Sequence, residues 1–543
     1  MTGYAINVFQ GSVPRKADHL QTSGASIAMD CKLEHGTLES WREPKMEKNL
    51  DSRIKQYFCL EGVEHEFDCY VSVARGNPGC KEFFATGIDD PVHGRGELMR
   101  WTPSQGNSWE LAGMPDVLMA PSASCPTAKD QEDSHTVTHC IQYYRSRDGA
   151  YSPLSEASVP VLTNPSEPVT LLLPPIPLSS WGVDYVIIFR AVFGMTGYEE
   201  IVNVTDHSWV EVARISINNR SYIDYMAANT PFLPVMHDLV IPPVNGLRDV
   251  VNITGTNILA GFKGRSVFFS TNNEHYNWPH EYELEDDICA IAESNGNVYV
   301  MTDSYSYVIV GAVDCEKAGV RPVVRHPVAF PLAVTGARNF CSVPEGVVYI
   351  SPVGAVLLAG NAPPVVLTSP FYAEDDWQQL VPESLIPAYY RGRLFVFGAF
   401  KSFVITLSTT PEQGLGVATH SSLSMVGVRS VGFTRSNVMQ LVVDDGLYTW
   451  DRGARLMPHL WKSGEFVAGV PLTFGAAKVV HEGGDERIIV EGDGRVIIDR
   501  LAPYKKDFTL PLWGTSSRYY ITLEGTGSVK LVSLATSMKE LKA

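Results

Sequence analysis

The chain has 543 residues, 45% hydrophobic and 19% charged, a composition with enough apolar material for several globular cores. Its 43 basic and 60 acidic residues leave a formal net charge of −17, which excludes a broad basic face for phosphate or anionic lipid. The most apolar stretches, such as VTLLLPPIPL from Val169, are broken by prolines well short of the ~20 residues that a membrane-crossing helix needs, so no membrane insertion is expected.

The opening residues, MTGYAINVFQGSVPRK, contain no apolar core of signal-peptide length, and synthesis and assembly in a reducing cytoplasm are expected. Nine scattered cysteines without a C-x-x-C pair fit reduced thiols, with a bridge among Cys59, Cys69 and Cys80 left open. Residues 1–117 read as an irregular platform or docking region, able to contribute strands to a propeller. Within it, 25–32 reads as a short helix and 70–73 as a strand. Gly87 with Asp89-Asp90-Pro91, and Gly113 with Pro115, read as turns. A proline- and serine-rich linker spans 121–127.

Residues 118–235 read as a fibronectin type III-like β-sandwich. The strand candidates are 136–144, 157–162, 169–173, 185–191, 199–204 and 221–225, spaced as in a sandwich, and Ser146–Gly149 supplies a hairpin turn. Residues 236–505 carry six repeated hairpins whose first apolar positions are Ile258, Val298, Val347, Leu394, Val438 and Ile488. Separations of 40, 49, 47, 44 and 50 residues match a four-stranded propeller blade. Runs such as Val298-Tyr299-Val300-Met301 are apolar on both faces, as blades stacked face to face require. Asp445-Gly446 and Asp493-Gly494 suit two-residue turns. An ordinary large sandwich remains the alternative. Residues 506–543 add strands at 519–523 and 528–534, closing the propeller or docking on it. The fold class is therefore all-β: a β-propeller of repeated hairpins with an inserted sandwich and an irregular N-terminal region.

Chemistry is harder to find. His135 and His139, beside Cys140, would form a metal pair on a helix, but on a strand four residues span about 13 Å and the rings cannot share an ion. Gly261–Ser266 (GFKGRS) lacks the phosphate-loop spacing and lies inside a hairpin. No G-x-S-x-G elbow occurs. Trp450-Asp451 occurs once, whereas a WD repeat would recur. Two acidic runs stand out: Glu283, Glu285, Asp286 and Asp287 around Leu284, and Glu374-Asp375-Asp376. Neither has the alternating pattern of a calcium loop, and both read first as solvated loops. No catalytic, cofactor-binding or metal-ligating residue is assigned, and the chain reads as a non-enzyme.

The N-terminal pattern Phe9-x-Gly11-x-x-Pro14, followed by Leu20, Ala28, Leu33-x-x-Gly36-x-Leu38 and Pro44, resembles the opening of bacteriophage tail nozzle proteins, the tail tubular protein B family. Further elements follow in the family's order: Thr86-Gly87 with Asp90-Pro91, Gly113-x-Pro115, Asp148-Gly149 with Ser152-Pro153 and Ser155, and Phe189-Arg190. The most specific is Phe269-Ser270 with Tyr276-Asn277-Trp278-Pro279, which is similar to the family's F-S-x-x-x-x-P-x-x-W-P without its inner proline. Thr302, Gly311, Cys341-Ser342, Tyr349 with Gly354, and Asp376-Trp377 with Leu380 and Pro382 extend the series, which covers residues 9 to about 395.

The resemblance implies a virion protein of a short-tailed phage. It would form a ring, usually a hexamer, below the tail adaptor, with fibres or spikes attached nearby. DNA would leave through its lumen without specific binding. An acidic lumen would let DNA slide, and Glu283–Asp287 and Glu374–Asp376 are the candidate lumen acids; only carboxylates within ~8 Å of DNA would act. The alternatives are a tail protein that binds a host receptor or polysaccharide and, further off, a propeller hydrolase of glycans, whose paired carboxylates spacing cannot reveal.

Overall fold

The computed structural model describes residues 3–13, 24–34, 36–76, 81–90, 94–126, 134–164, 166–193, 209–225, 233–234, 240–310, 323–332, 338–410, 414–504, 506–511 and 514–541. The chain is all-β and divides into two compact units. The first takes the described parts of 1–70, 292–310 and 322–543; the second takes those of 71–291. The chain crosses between them within the strand Ile288–Ser294.

Five propeller blades are four-stranded antiparallel sheets, and blade V is a four-strand antiparallel run at one end of a ten-stranded sheet. In chain order, blade I is Ser72–Arg75, Phe83–Thr86, Met99–Trp101 and Glu110–Leu111. Blade II is Arg248–Asn252, Leu259–Lys263, Ser266–Phe269 and His280–Glu283. Blade III is Ile288–Ser294, Asn297–Thr302, Tyr305–Ile309 and Val323–Ala329. Blade IV is Phe340–Val343, Gly346–Ser351, Gly354–Leu358 and Val365–Val366. Blade V is Ile386–Tyr390, Arg393–Phe397, Ser402–Thr410 and Gly414–Leu423. Blade VI takes Val428–Phe433, Met439–Val443 and Gly446–Thr449, and its fourth strand is Lys45–Asn49 from the N-terminal region.

Five of the six hairpins expected from the sequence are thus the middle pairs of blades II to VI. Their strands are buried on both faces; every residue of Gly346–Ser351 and Gly354–Leu358 is buried. That is why apolar residues run on without alternation. One turn is displaced by a residue. Val443 pairs with Gly446, so the blade VI loop is Asp444-Asp445, with Asp444 at φ +46°.

The sixth hairpin forms but is not a blade. Glu486–Gly492 and Arg495–Leu501 close on Asp493-Gly494, both at positive φ, and Glu486–Gly492 pairs on its other edge with Ser516–Gly525 in a sheet of a second β-sandwich. This sandwich begins at His459–Ser463, so residues 459–501 lie outside the propeller and the expected boundary at 505 is corrected. Its facing sheet holds Cys31–Glu34, Thr37–Ser40, Ala476–Glu482, Asp507–Thr509 and Ser528–Ala535, with Gly3–Ile6 at one side. Phe9, Leu38, Trp461, Ile488, Ile521 and Val532 fill its core.

The expected helix at 25–32 is instead the strand Ala25–Met29. It pairs antiparallel with His459–Ser463 and, through Met29 and Ser422, parallel with the last strand of blade V. Two open sheet edges flank it, and pairing both of them outweighs any local helical preference.

In the second unit, the inserted sandwich packs a sheet built on His135–Arg145, Tyr185–Phe193 and Val210–Ser216 against Ser122–Ser124, Val169–Leu172 and Ser221–Asp224. Part of the linker at 121–127 is therefore an edge strand. The candidate strand 199–204 lies outside the described residues, and 157–162 is reduced to Val161–Thr163. The cause of that reduction is a serine ladder. Ser152, Ser155 and Ser158 accept the N–H groups of Tyr143, Ile141 and His139 on Oγ at 2.8, 2.9 and 3.0 Å. Their own N–H groups return to the carbonyls of the same three residues. Three residues of the ladder match two of the strand, so the segment covers an edge without being a strand. No helix among the described residues is long and apolar enough to cross a membrane.

Candidate functional site: acidic crossovers and buried polar clusters

Both acidic runs occupy the same kind of connection, from the outermost strand of one blade to the innermost strand of the next. Glu283 ends blade II, Leu284 is buried, and Ile288 opens blade III. Glu283, Glu285 and Asp287 are exposed and Asp286 is half-buried. The run is tied to the turn of its own blade: Arg265 Nε donates to the Leu284 carbonyl at 3.2 Å, and the Ile288 N–H donates to Gly264 O at 3.0 Å. Arg265 also stands 3.8 Å from Glu283, an exposed pair of small energetic weight. Glu374, Asp375 and Asp376, all exposed, form the first turn of the helix Glu374–Gln378 between blades IV and V. There they complement the partial positive charge of the helix start. Buried Trp377 anchors that turn, its Nε1–H donating to Ser351 O at 2.9 Å. The first run belongs to the second unit and the second run to the first.

Three clusters of ionisable side chains were invisible in the sequence because their members are far apart. Ser40 Oγ lies 2.9 Å from His459 Nδ1, and His459 Nε2 lies 3.4 Å from Glu486 Oε2. The residue types match a nucleophile–base–acid series. The histidine and glutamate are fully buried, however, and Glu486 Oε1 is taken by the Gly527 N–H at 2.6 Å. Ser40 is buried with them, and the cluster ties three strands of the C-terminal sandwich together. His420 is similar: it sits between Ser12 Oγ and Tyr372 OH, and burial lowers its pKa to about 4.

In the inserted sandwich, His139 and Arg190 are cross-strand partners, and both reach Asp224 on the facing sheet. His139 Nε2 is 2.8 Å from Asp224 Oδ2, and Arg190 Nη1 donates to both carboxylate oxygens at 2.9 and 3.0 Å. His139 is thus a core residue, while half-buried His135 pairs with Thr163 at the strand's start. Burial works against ionisation of Asp224, but the bond from His139 and the charge of Arg190 outweigh it, and the carboxyl is held below its ordinary value. A folded-state pKa below the unfolded one stabilises above the ordinary value of 3.8, and that contribution is lost as pH falls through the folded value. We expect Asp224→Asn to destabilise the chain by about 3 kcal/mol at neutral pH, since it strands a buried guanidinium. Denaturant melts from pH 7 to 2 should show the acid-side loss in the wild type and a smaller one in the variant.

The third cluster joins blade I to the sandwich. Arg100 pairs with Glu82 and lies 3.5 Å from Asp148. Asp148 also holds Arg145 at 2.8 Å. His275, buried 3.9 Å from Glu82, has its pKa lowered by burial. Among the described residues, no three His, Cys, Asp or Glu side chains gather as a metal site would need. No disulfide joins two of the described cysteines, and Cys80 lies outside the described residues.

No family model and no curated protein matches the chain. Among solved structures it is similar to BamB from Moraxella catarrhalis, at 9% identity over 74% of this chain and 95% of that chain, with a TM-score of 0.28. YCF48 from Cyanidioschyzon merolae gives 9% identity, 70% and 95% coverage and a TM-score of 0.25. The Pan2 WD40 domain from Neurospora crassa gives 9%, 63% and 99%, and 0.23. At these scores the likenesses carry no argument about function, and the propeller is read from the sheet orders themselves.

Proposed function

We propose that this chain is a subunit of the tail nozzle of a short-tailed phage, a ring-forming, catalytically silent conduit and gate for DNA attached below the tail adaptor. The observation that carries this reading is the ordered series of motifs from Phe9 to Pro382, and several of its described members have structural work in the fold. Trp278 and Trp377 are buried anchors of blade II and of the crossover into blade V. Ser152 and Ser155 build the edge-covering ladder, and Asp148 holds the arginine that clasps the Gly113 segment. The two acidic crossovers occupy corresponding ends of their blades, which suits a wall that repels a DNA phosphate backbone. The outward face of the smaller sheet of the inserted sandwich exposes Leu172 and Ile223, apolar surface of the kind a heterologous ring interface buries.

The direct test is light-scattering mass with negative-stain imaging of the purified chain, alone and with the adaptor. A ring with a central hole is the expected result, and a monomer that never rings with its partners would sink the reading. Charge reversal of Glu283, Glu285, Asp287, Glu374, Asp375 and Asp376 to lysine should slow or stall DNA release from assembled particles at physiological salt. Unchanged ejection kinetics would remove these acids from the mechanism.

A further inference from the structure

In the first unit, the innermost strands of blades IV, V and VI converge on a recess of about 120 Å³. Two arginines, Arg338 and Arg429, line it together with Tyr70, Phe340, Cys341 and Phe433. The guanidiniums are held in place by neutral acceptors. Arg338 donates to the Tyr70 hydroxyl at 2.8 Å and to the Glu383 carbonyl at 3.3 Å, with its guanidinium carbon 4.9 Å from the Tyr70 ring centre. Arg429 donates through Nη1 to the Ser52 carbonyl at 2.8 Å. Its Nε and Nη2 are buried and have no hydrogen-bond acceptor among the described residues.

The recess gathers positive charge in a protein whose acids outnumber its bases by 60 to 43. Arg145 with Asp148, Arg190 with Asp224 and Arg487 with Asp499 pair with carboxylates at close range. At the recess, Asp445 stands 3.9 Å from Arg429 Nη2, with a side chain 71% exposed. It lies beyond hydrogen-bond reach and is screened by solvent. Lys55, with Nζ 5.9 Å from the Tyr70 ring centre, adds a further positive charge at the same ring. Arg338 and Arg429 bring two guanidinium groups to the wall of the recess, and a guanidinium recognises a carboxylate or phosphate through paired hydrogen bonds. The remaining wall is aromatic and aliphatic, which favours an anion with an apolar body. The volume is below the ~150 Å³ of a cavity that accepts benzene, so the recess takes the anionic end of a small carboxylate and only part of its apolar body.

We propose that this recess is a binding site for a small organic carboxylate, its anionic end held between Arg338 and Arg429 and its apolar body against Phe340 and Phe433. The test is isothermal titration of the full chain with benzoate, acetate and inorganic phosphate. The variants are Arg338→Met, Arg429→Met and Arg429→Lys, with Arg487→Met as a distant control and thermal melts to confirm folding. Saturable benzoate binding is expected, stronger than acetate, weakened at least tenfold in both methionine variants and unchanged in the control. The lysine variant keeps the charge and loses the fork, so intermediate affinity is expected and gives a readout should a methionine variant fail to fold. Benzoate binding at wild-type strength in the arginine variants, or no binding by any probe, would overturn the site. Phosphate binding tightly while benzoate does not would overturn its assignment to organic carboxylates.

Discussion

A chain that starts at Leu50 is expected not to fold its first unit. Residues 3–49 supply a strand to each of several sheets. Gly3–Ile6, Cys31–Glu34 and Thr37–Ser40 belong to one sheet of the C-terminal sandwich, and Ala25–Met29 belongs to the other. Lys45–Asn49 completes blade VI. Phe9, Leu33, Leu38 and Trp41 are buried, and Trp41 packs against Phe395 and Trp450 at 5.7 Å. At about 1.5–3 kcal/mol for each large apolar side chain buried, these four alone are worth roughly 6–12 kcal/mol. That is comparable with the entire net stability of an ordinary domain, about 5–15 kcal/mol. Their loss would also open at least three sheet edges to aggregation. The truncated chain should express as insoluble material or lose its near-ultraviolet circular dichroism. A soluble product with an unchanged cooperative melt would refute the account.

Arg145→Met should be the most damaging single substitution in the second unit. Arg145 is fully buried, and its Nη1 donates to the carbonyls of Leu111, Gly113 and Trp181 at 3.0, 3.1 and 3.1 Å. Its Nη2 donates to the Ala112 carbonyl at 2.8 Å and its Nε to Asp148 at 2.9 Å. One side chain thus satisfies the backbone leaving blade I and fixes it to the sandwich. Methionine keeps much of the volume but strands several buried acceptors and an ionised Asp148. A loss of about 3–5 kcal/mol is expected. For a cooperative unit of this size that is a fall in Tm of roughly 6–20 °C. Lysine should rescue little, since one ammonium cannot reproduce the planar fork. Calorimetry on the full chain checks both variants, and a shift under 2 °C for Arg145→Met would contradict the clasp.

The features legible in the sequence are those encoded by neighbours along the chain. A hairpin declares itself through two apolar runs and a turn that permits tight reversal, so the middle pairs of blades II to VI were readable one by one. The turn at Ser146–Gly149 and the strand after His135 were readable for the same reason. Several first and last strands are short or polar: Val365–Val366 has two residues and Lys45–Asn49 is largely exposed. Blade I, with its two-residue outer strand Glu110–Leu111, left no repeat to find.

The candidate acids were partly legible. Their exposure and their place in connecting loops follow from charge and from the flanking strands. Their recurrence at the same kind of crossover required the sheet order. The buried clusters were beyond sequence reasoning. Ser40 and His459 are 419 positions apart, and Asp224 meets His139 only across two sheets.

By itself, the sequence determined an all-β chain, the repeating hairpins, the inserted sandwich and the absence of a recognisable catalytic motif. The tertiary structure alone decided which partner each hairpin takes. RIIVEGDGRVII has the same local signature as a blade hairpin, yet it pairs with Ser516–Gly525 in a sandwich. The strand Lys45–Asn49, with few apolar residues, closes a blade. A strand's residues state that its two edges need hydrogen-bond partners and which faces are buried. They do not state whose edge will be open beside it when the chain collapses, and that is settled only by the packing of segments hundreds of residues apart.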